Sequence, residues 1–357
     1  MVNNDLLSKT INSLRFPLIV GVVFIHNNMS IVNVQGMDVS YERTLWLNYI
    51  MIFLSDVLST ISVPLFFFFA GFLFFYKVDF TGEIYKKKLK NRCRTLLIPY
   101  LIWNFIGFIV LLIQMHPRFS SLFPLLENYR IDIVEFLKCF WMREYIYPIN
   151  YPFWFIRELI LLVIAAPVVY WFVRKLKVFG VILLGIVWFF QLGTYAGLSP
   201  LSHQSVFFFP LGAYFAVSQL DFAKLAYKAK WSPWIYIILA VSDMVTKGLP
   251  YNLGVHCVGI LVGMIAVTYI ASHLMDNPNR QPSEFLCNAS FFVFAAHGLL
   301  VSRLMKILMV MVHPQSPYVI LCIYFLDPLI TIFLCLGVYK ILKRYFPLIT
   351  KVVAGGR

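Results

Sequence analysis

Apolar runs of about twenty residues recur along nearly the whole chain, at about 15–34, 55–76, 95–115, 153–173, 178–196, 204–218, 232–247, 252–272, 285–311 and 317–339. At ~1.5 Å rise per residue, a helix of that length crosses a hydrocarbon layer ~30 Å thick. The pattern predicts an all-α, polytopic integral membrane bundle of about ten transmembrane helices. Composition points the same way: 61% of the 357 residues are hydrophobic and 13% charged, and the mean hydropathy is +0.79. An average soluble domain carries about 25% charge. Residues 1–345 read as a single transmembrane domain and 346–357 as a short tail. The opening MVNNDLLSKTINSLR is polar, longer than a usual n-region, and followed by no A-x-A site. The first span is therefore expected to be retained.

The net charge of +14 would suit a nucleic-acid binder, but its distribution assigns it to a membrane face. Ten spans put both termini on one side, and the loops of that side hold most of the 30 Lys and Arg. By the positive-inside rule both termini are cytoplasmic, and no nucleic-acid partner is expected. The six cysteines are scattered, without C-x-x-C pairs or metal-ligand spacing, so neither a disulfide framework nor a metal site is expected. The longest outer connection, 116–152, contains RIDIVEFLKCFWMR, with Ile133, Phe136, Leu137, Phe140 and Trp141 at helical spacing. That stretch reads as a helix lying on the outer surface.

Within this frame a few ionisable residues stand out. The segment RFPLIVGVVFIH places His26 eleven residues, roughly 16 Å, beyond Arg15 and on nearly the same helix face. With Arg15 at a membrane surface, His26 lies near the middle of the hydrocarbon, where an ionisable group is by default a functional candidate. Asn27 and Asn28 follow it. A single membrane histidine can also serve only to bond a neighbouring helix, but His297, in ASFFVFAAHGLL, falls roughly 20 Å into the ninth span, at a similar depth. Two imidazoles so placed can face each other, and imidazole is the usual group for passing protons near neutral pH.

Arg157 and Glu158 are adjacent near the start of the fourth span and point about 100° apart, so each should meet groups on other helices. Glu158 can orient a histidine or a substrate hydroxyl, or belong to a structural ion pair. In the basic stretch IYKKKLKNRCRTLLIPY, Lys90, Arg92 and Arg94 fall where a helix re-enters the membrane before Pro99. Fixed cations there suit an anionic, phosphate-bearing ligand. His203, His256, Asp243 and Asp56 lie toward outer helix ends and read as rim residues. No G-x-S-x-G, Walker loop, H-E-x-x-H or G-x-G-x-x-G is present.

Taken together these segments resemble the membrane-bound acyltransferase-3 superfamily of multi-span O-acyltransferases. Arg15 and His26 match that family's Arg-x10-His. VPLFFFFAGFLFF (63–75) is similar to its Phe-rich second span, and the basic run into RTLLIPY to its re-entry ahead of a proline. PFWFIRELILLVIAAP (152–167) resembles its Trp-Phe span, and SFFVFAAH (290–297) its late Ser-to-His segment. Asn12 stands where members often have Asp, and Ala70 where Ser commonly precedes Gly-Phe.

The resemblance implies transfer of an acyl group, usually acetyl from acetyl-CoA, onto a hydroxyl of a cell-envelope glycan or lipid-linked glycan, in the bacterial inner membrane and in contact with its lipid. It implies His26 as general base or transient acyl carrier, with His297 and Glu158 tuning the site. Arg15, Lys90, Arg92 and Arg94 would hold the donor, and no metal is needed. A transporter or flippase for a charged lipid or glycan would use the same midplane groups for binding, but no inverted repeat is evident and the inner cations would have no particular task.

Overall fold

The computed structural model describes residues 4–27, 32–34, 37–39, 44–116, 118, 131–142, 147–193 and 201–356. Asn28, and residues 119–130 and 143–146 of the expected outer segment, lie outside the described residues. The elements are α1 (Asn4–Ile25), a hairpin of β1 (Val32–Val34) and β2 (Met37–Val39), α2 (Leu45–Met51), α3 (Ser62–Phe75), α4 (Gly82–Arg92), α5 (Ile98–Gln114), α6 (Ile133–Lys138), α7 (Trp154–Ile164) and α8 (Ala166–Phe189). They continue with α9 (His203–Val217), α10 (Phe222–Tyr227), α11 (Ser232–Val245), α12 (Asn252–Asp276), α13 (Glu284–Val312), α14 (Pro317–Tyr345) and α15 (Pro347–Val353). A π-helical stretch, Ile52–Leu58, and a 3-10 turn, Ser59–Ile61, join α2 to α3, and a second π-helical stretch, Cys93–Leu97, joins α4 to α5.

Helix occurs at every one of the ten apolar runs, and the fold is a helical bundle of an integral membrane protein. Among the described residues six helices are long and apolar enough by themselves to cross a membrane: Leu6–Ile25, Leu45–Phe75, Gly82–Gln114, Asn252–Asp276, Glu284–Val312 and Pro317–Tyr345. Tyr151–Ile164 and Ala166–Phe189 are together long and apolar enough for a seventh, and meet at a 68° bend, the geometry of a broken span or a re-entrant loop. The other expected spans are the short helices α9 and α11 and the far end of α8. Lys177, with φ 51° and ψ −135°, interrupts α8 beside Arg174 and Lys175, so the chain turns at the cation cluster that sequence placed between two spans.

The first span departs from expectation. Its helix begins at Asn4 and ends at Ile25, about ten residues earlier than the apolar run. Leu7, Ile11, Leu14 and Leu18 form a buried stripe along it, so the polar opening continues an amphipathic helix. His26 thus sits just past the helix end, not inside the helix. The expected surface helix at 130–143 is reduced to α6, capped by the Asp132 carboxylate, which accepts from the Glu135 N–H at 2.8 Å. Ile133, Leu137 and Trp141 are exposed.

The chain divides into two compact units. One comprises Met1–Val22, Ile52–Cys93 and Glu158–Ser290; the other Val23–Met51, Arg94–Arg157 and Phe291–Arg357. The first is organised on the crossing of α3 and α9, where two glycines let the backbones touch. A Cβ on Gly71 would lie 2.0 Å from the Phe209 carbonyl oxygen, and one on Gly212 would lie 2.0 Å from that of Phe68. Small residues serve this purpose wherever lipid removes the hydrophobic drive for helix association. Around the crossing Phe68, Phe69, Phe72 and Phe222 interlock edge-to-face and tilted. In the same unit α11 and α12 are pinned by buried Asp243, which lies 2.6 Å from His256 Nδ1 and accepts from Asn252 Nδ2 at 2.8 Å.

In the second unit Trp103 of α5 donates its indole N–H to the Val353 carbonyl at 3.0 Å and meets Phe292 edge-on at 5.3 Å. The last helix, α15, is thereby docked. Asn150, fully buried, donates its backbone N–H to Asn104 Oδ1 at 3.2 Å and its Nδ2 to the Ala295 carbonyl at 2.9 Å. This bond ties the entry of α7 to α13.

Gly71→Ala and Gly212→Ala each place a methyl group against backbone that cannot rotate away, so the helix pair must separate. Each is expected to cost about 1–3 kcal/mol, read as a lower melting temperature and folded yield of the detergent-purified protein. An unchanged melting temperature would refute backbone contact as the basis of this unit.

Candidate active site

The second unit brings together the two histidines that sequence singled out. The His26 and His297 rings stack at 5.4 Å between centroids with 27° between planes. Tyr151 stands edge-on to His26 at 4.7 Å and 83°.

His297 is fully buried in the middle of α13. Its Nδ1 lies 2.6 Å from the Phe294 carbonyl oxygen and 3.3 Å from that of Val293. A carbonyl only accepts, so the proton of the neutral ring sits on Nδ1. Nε2 is left as a lone pair, buried and without a hydrogen-bond partner. His26, by contrast, is only partly buried. A sealed imidazole of fixed tautomer therefore backs a second imidazole that can be reached. Gly298 permits the neighbouring chain to close in, since a Cβ there would lie 2.6 Å from the Pro152 ring and 2.7 Å from Asn150 Oδ1.

The end of α1 is held against α14. Asn27, next to His26, donates Nδ2 to the Tyr324 carbonyl at 2.6 Å, and Phe24 packs edge-on to Tyr324 and Phe325 at 5.8 and 6.2 Å. One turn along α14 lies Asp327, fully buried, with neither carboxyl oxygen hydrogen-bonded among the described residues. Tyr151 lies within the fields of both Arg303 and Asp327. Sequence reading passed over Tyr151 and Asp327. The signal for Asp327 was present, since it is an acid in the middle of an apolar run. Tyr151 lies in an irregular stretch with no pattern to mark it.

Glu158 belongs to the first unit, buried, and its Oε2 accepts from the N–H and the hydroxyl of Ser202 at 2.9 and 2.7 Å. It anchors the start of α9. Arg157 turns to the Trp141 carbonyl at 2.8 Å with its guanidinium 5.5 Å over the Trp141 ring. The adjacent charges thus meet different elements, as their 100° separation requires.

Among the expected donor-site cations, Arg15 and Arg92 are brought within electrostatic reach of one another and are both partly buried. Arg15 donates to Cys287 Sγ at 3.8 Å, and among the described residues no carboxylate pairs with either guanidinium. Lys90 and Arg94 are exposed. Lys88, four residues before Arg92 and so on its helix face, lies within the field of Arg92 and donates Nζ to the Phe74 carbonyl. The basic row is Lys88, Arg92 and Arg15. The sequence shows Lys88 only as one of several lysines in a row.

Over 165 residues the chain is 32% identical to the succinoglycan biosynthesis protein ExoH of Rhizobium meliloti (strain 1021), a match covering 45% of this chain and 41% of that protein. The chain thus spans under half the length of that relative. No solved structure matches. The family described as Acyltransferase domain matches residues 9–340, nearly the whole bundle with both histidines and the basic row inside it, and the chain belongs to this acyltransferase-3 family.

Proposed function

We propose that this protein transfers an acyl group, acetyl from acetyl-CoA, onto a hydroxyl of a glycan or lipid-linked glycan, within the bacterial inner membrane. The reading is carried by the imidazole pair, one ring reachable and the other sealed behind it, in a chain of the acyltransferase-3 family. A relative named for succinoglycan biosynthesis supports a polysaccharide acceptor.

His26 takes the proton of the acceptor hydroxyl as that oxygen bonds to the acyl carbon. The carbon–sulfur bond then breaks, and the proton returns from His26 to the departing thiolate. His297 holds its own proton on Nδ1 toward the Phe294 carbonyl and presents a lone pair, so it positions the pair without competing as a donor. Glu158 anchors the start of α9 through Ser202. Arg15 and Arg92 have hydrogen-bond donors in excess and no acidic partner among the described residues, which suits the phosphates of a CoA thioester. An alternative course has His26 carry the acyl group transiently.

The test uses purified protein in nanodiscs, radiolabelled acetyl-CoA and succinoglycan oligosaccharides. His26→Ala is expected to lower transfer to the glycan by about 10²–10⁴-fold with an unchanged melting temperature. Near-full transfer by a folded His26→Ala protein would overturn the assignment. Label trapped on wild-type protein after rapid quenching, and absent from His26→Ala, would select the acyl-carrier course.

Arg15→Ala and Arg92→Ala are expected to raise KM for acetyl-CoA by about 10- to 100-fold, the loss of one or two charge-assisted hydrogen bonds. KM for the glycan should move less than threefold. Equal effects on both substrates would remove the basic row from the donor site.

A further inference from the structure

The imidazole pair lies in a unit where several buried hydrogen-bond acceptors have no partner among the described residues. Asn27 Oδ1, Asn150 Oδ1, His297 Nε2 and both oxygens of Asp327 are buried with no hydrogen-bond partner among the described residues, as is the Thr331 hydroxyl. All belong to the second unit, and Asn27, Asn150, His297, Asp327 and Thr331 are each no more than 1% exposed. Native proteins leave few such groups. Here they concentrate around one feature.

Their placement follows from two elements. Asn27 is fixed to the Tyr324 carbonyl at 2.6 Å. Asp327 and Thr331 stand three and seven residues further along α14, on the same face. His26 and Tyr151, both partly exposed, form the open side of the cluster, and Tyr151 links them, its ring against His26 and Asp327 within electrostatic reach. The carboxyl of Asp327 contributes nothing to packing that leucine would not do better, because a buried acid without donors is costly in either protonation state. Its presence implies a donor that arrives from outside. Hydroxyl groups are such donors, and a carboxyl with two open oxygens matches two adjacent ones.

We propose that Asp327, with Thr331 and Asn27, forms a subsite that binds the hydroxyls of a sugar acceptor beside the imidazole pair. The proposal rests on the glycan acyltransferase reading and adds the residues that recognise the acceptor. Asp327 accepts hydrogen bonds from hydroxyls next to the one that reacts, so it sets which hydroxyl reaches His26.

The experiment compares wild type, Asp327→Leu, Asp327→Asn and Thr331→Val in nanodiscs. It measures binding of succinoglycan oligosaccharides and of CoA by equilibrium titration without turnover, and steady-state transfer from acetyl-CoA in parallel. Asp327→Leu is expected to weaken oligosaccharide binding and raise acceptor KM by about 10- to 100-fold, with CoA binding within twofold and an equal or higher melting temperature. Asp327→Asn and Thr331→Val, close in size to the native side chains, should fall between it and wild type.

If wild type binds oligosaccharide and the variants lose it, but no label is ever transferred, the subsite stands and the transferase reading fails. If label is transferred while acceptor KM and oligosaccharide affinity are unchanged in all three variants, the subsite is overturned and the transferase reading stands. No oligosaccharide binding by wild type, or a fall in CoA affinity equal to that for oligosaccharide, likewise overturns it.

Discussion

A fully enclosed imidazole in an apolar bundle must find its hydrogen-bond partner close at hand, and His297 finds one on its own helix. The bond from Nδ1 to the Phe294 carbonyl, 2.6 Å long, fixes the ring's tautomer and its rotation together. Once the ring is fixed, His26 has a flat surface to stack against, Gly298 admits the Pro152 ring and the Asn150 side chain, and Asn150 bonds α13 at Ala295, two residues before His297. A bulkier residue at 298 would push away the strand of chain that carries Tyr151. The geometry around the reachable imidazole thus depends on one intrahelical bond and one missing side chain.

Charge is treated differently in the two units. In the first, acids are matched: Asp243 to His256 and Asn252, and Glu158 to Ser202. Among the described residues Arg15 there meets no carboxylate and donates to the Cys287 sulfur. In the second, the surplus is of lone pairs, on Asp327, Asn27, Asn150 and His297. A surplus of fixed donors suits an anion, and a surplus of acceptors suits hydroxyl groups. A thioester bearing phosphates and a sugar bearing hydroxyls differ in this same respect. That contrast is a physical reason to expect two unlike substrates from one chain.

Helix-scale features were legible in the sequence because hydrophobic length and depth are one-dimensional quantities. The ten apolar runs and the similar depth of His26 and His297 follow from counting residues, and the structure stacks the two rings. Counting misplaced the first helix, because the run was measured by hydropathy alone. The buried stripe from Leu7 to Leu18 obeys a 3.6-residue period that mean hydropathy does not register. The basic row shows the same limit. Lys90, Arg92 and Arg94 are neighbours in sequence, yet alternate residues on a helix point to opposite sides, so Arg92 shares its face with Lys88. Tyr151, in an irregular stretch, had no periodicity to be read from.

Asp327 was in plain view and shows what a depth argument omits. An acid in the middle of an apolar helix was visible beside a proline, but its meaning depends on whether a partner waits on another helix. For Asp243 a partner does wait, and the pair is explained by the α11–α12 contact. For Asp327 none does among the described residues. Two aspartates of similar burial in similar helices therefore carry opposite information: one has its free energy settled inside the protein, and the other can settle it only with a ligand.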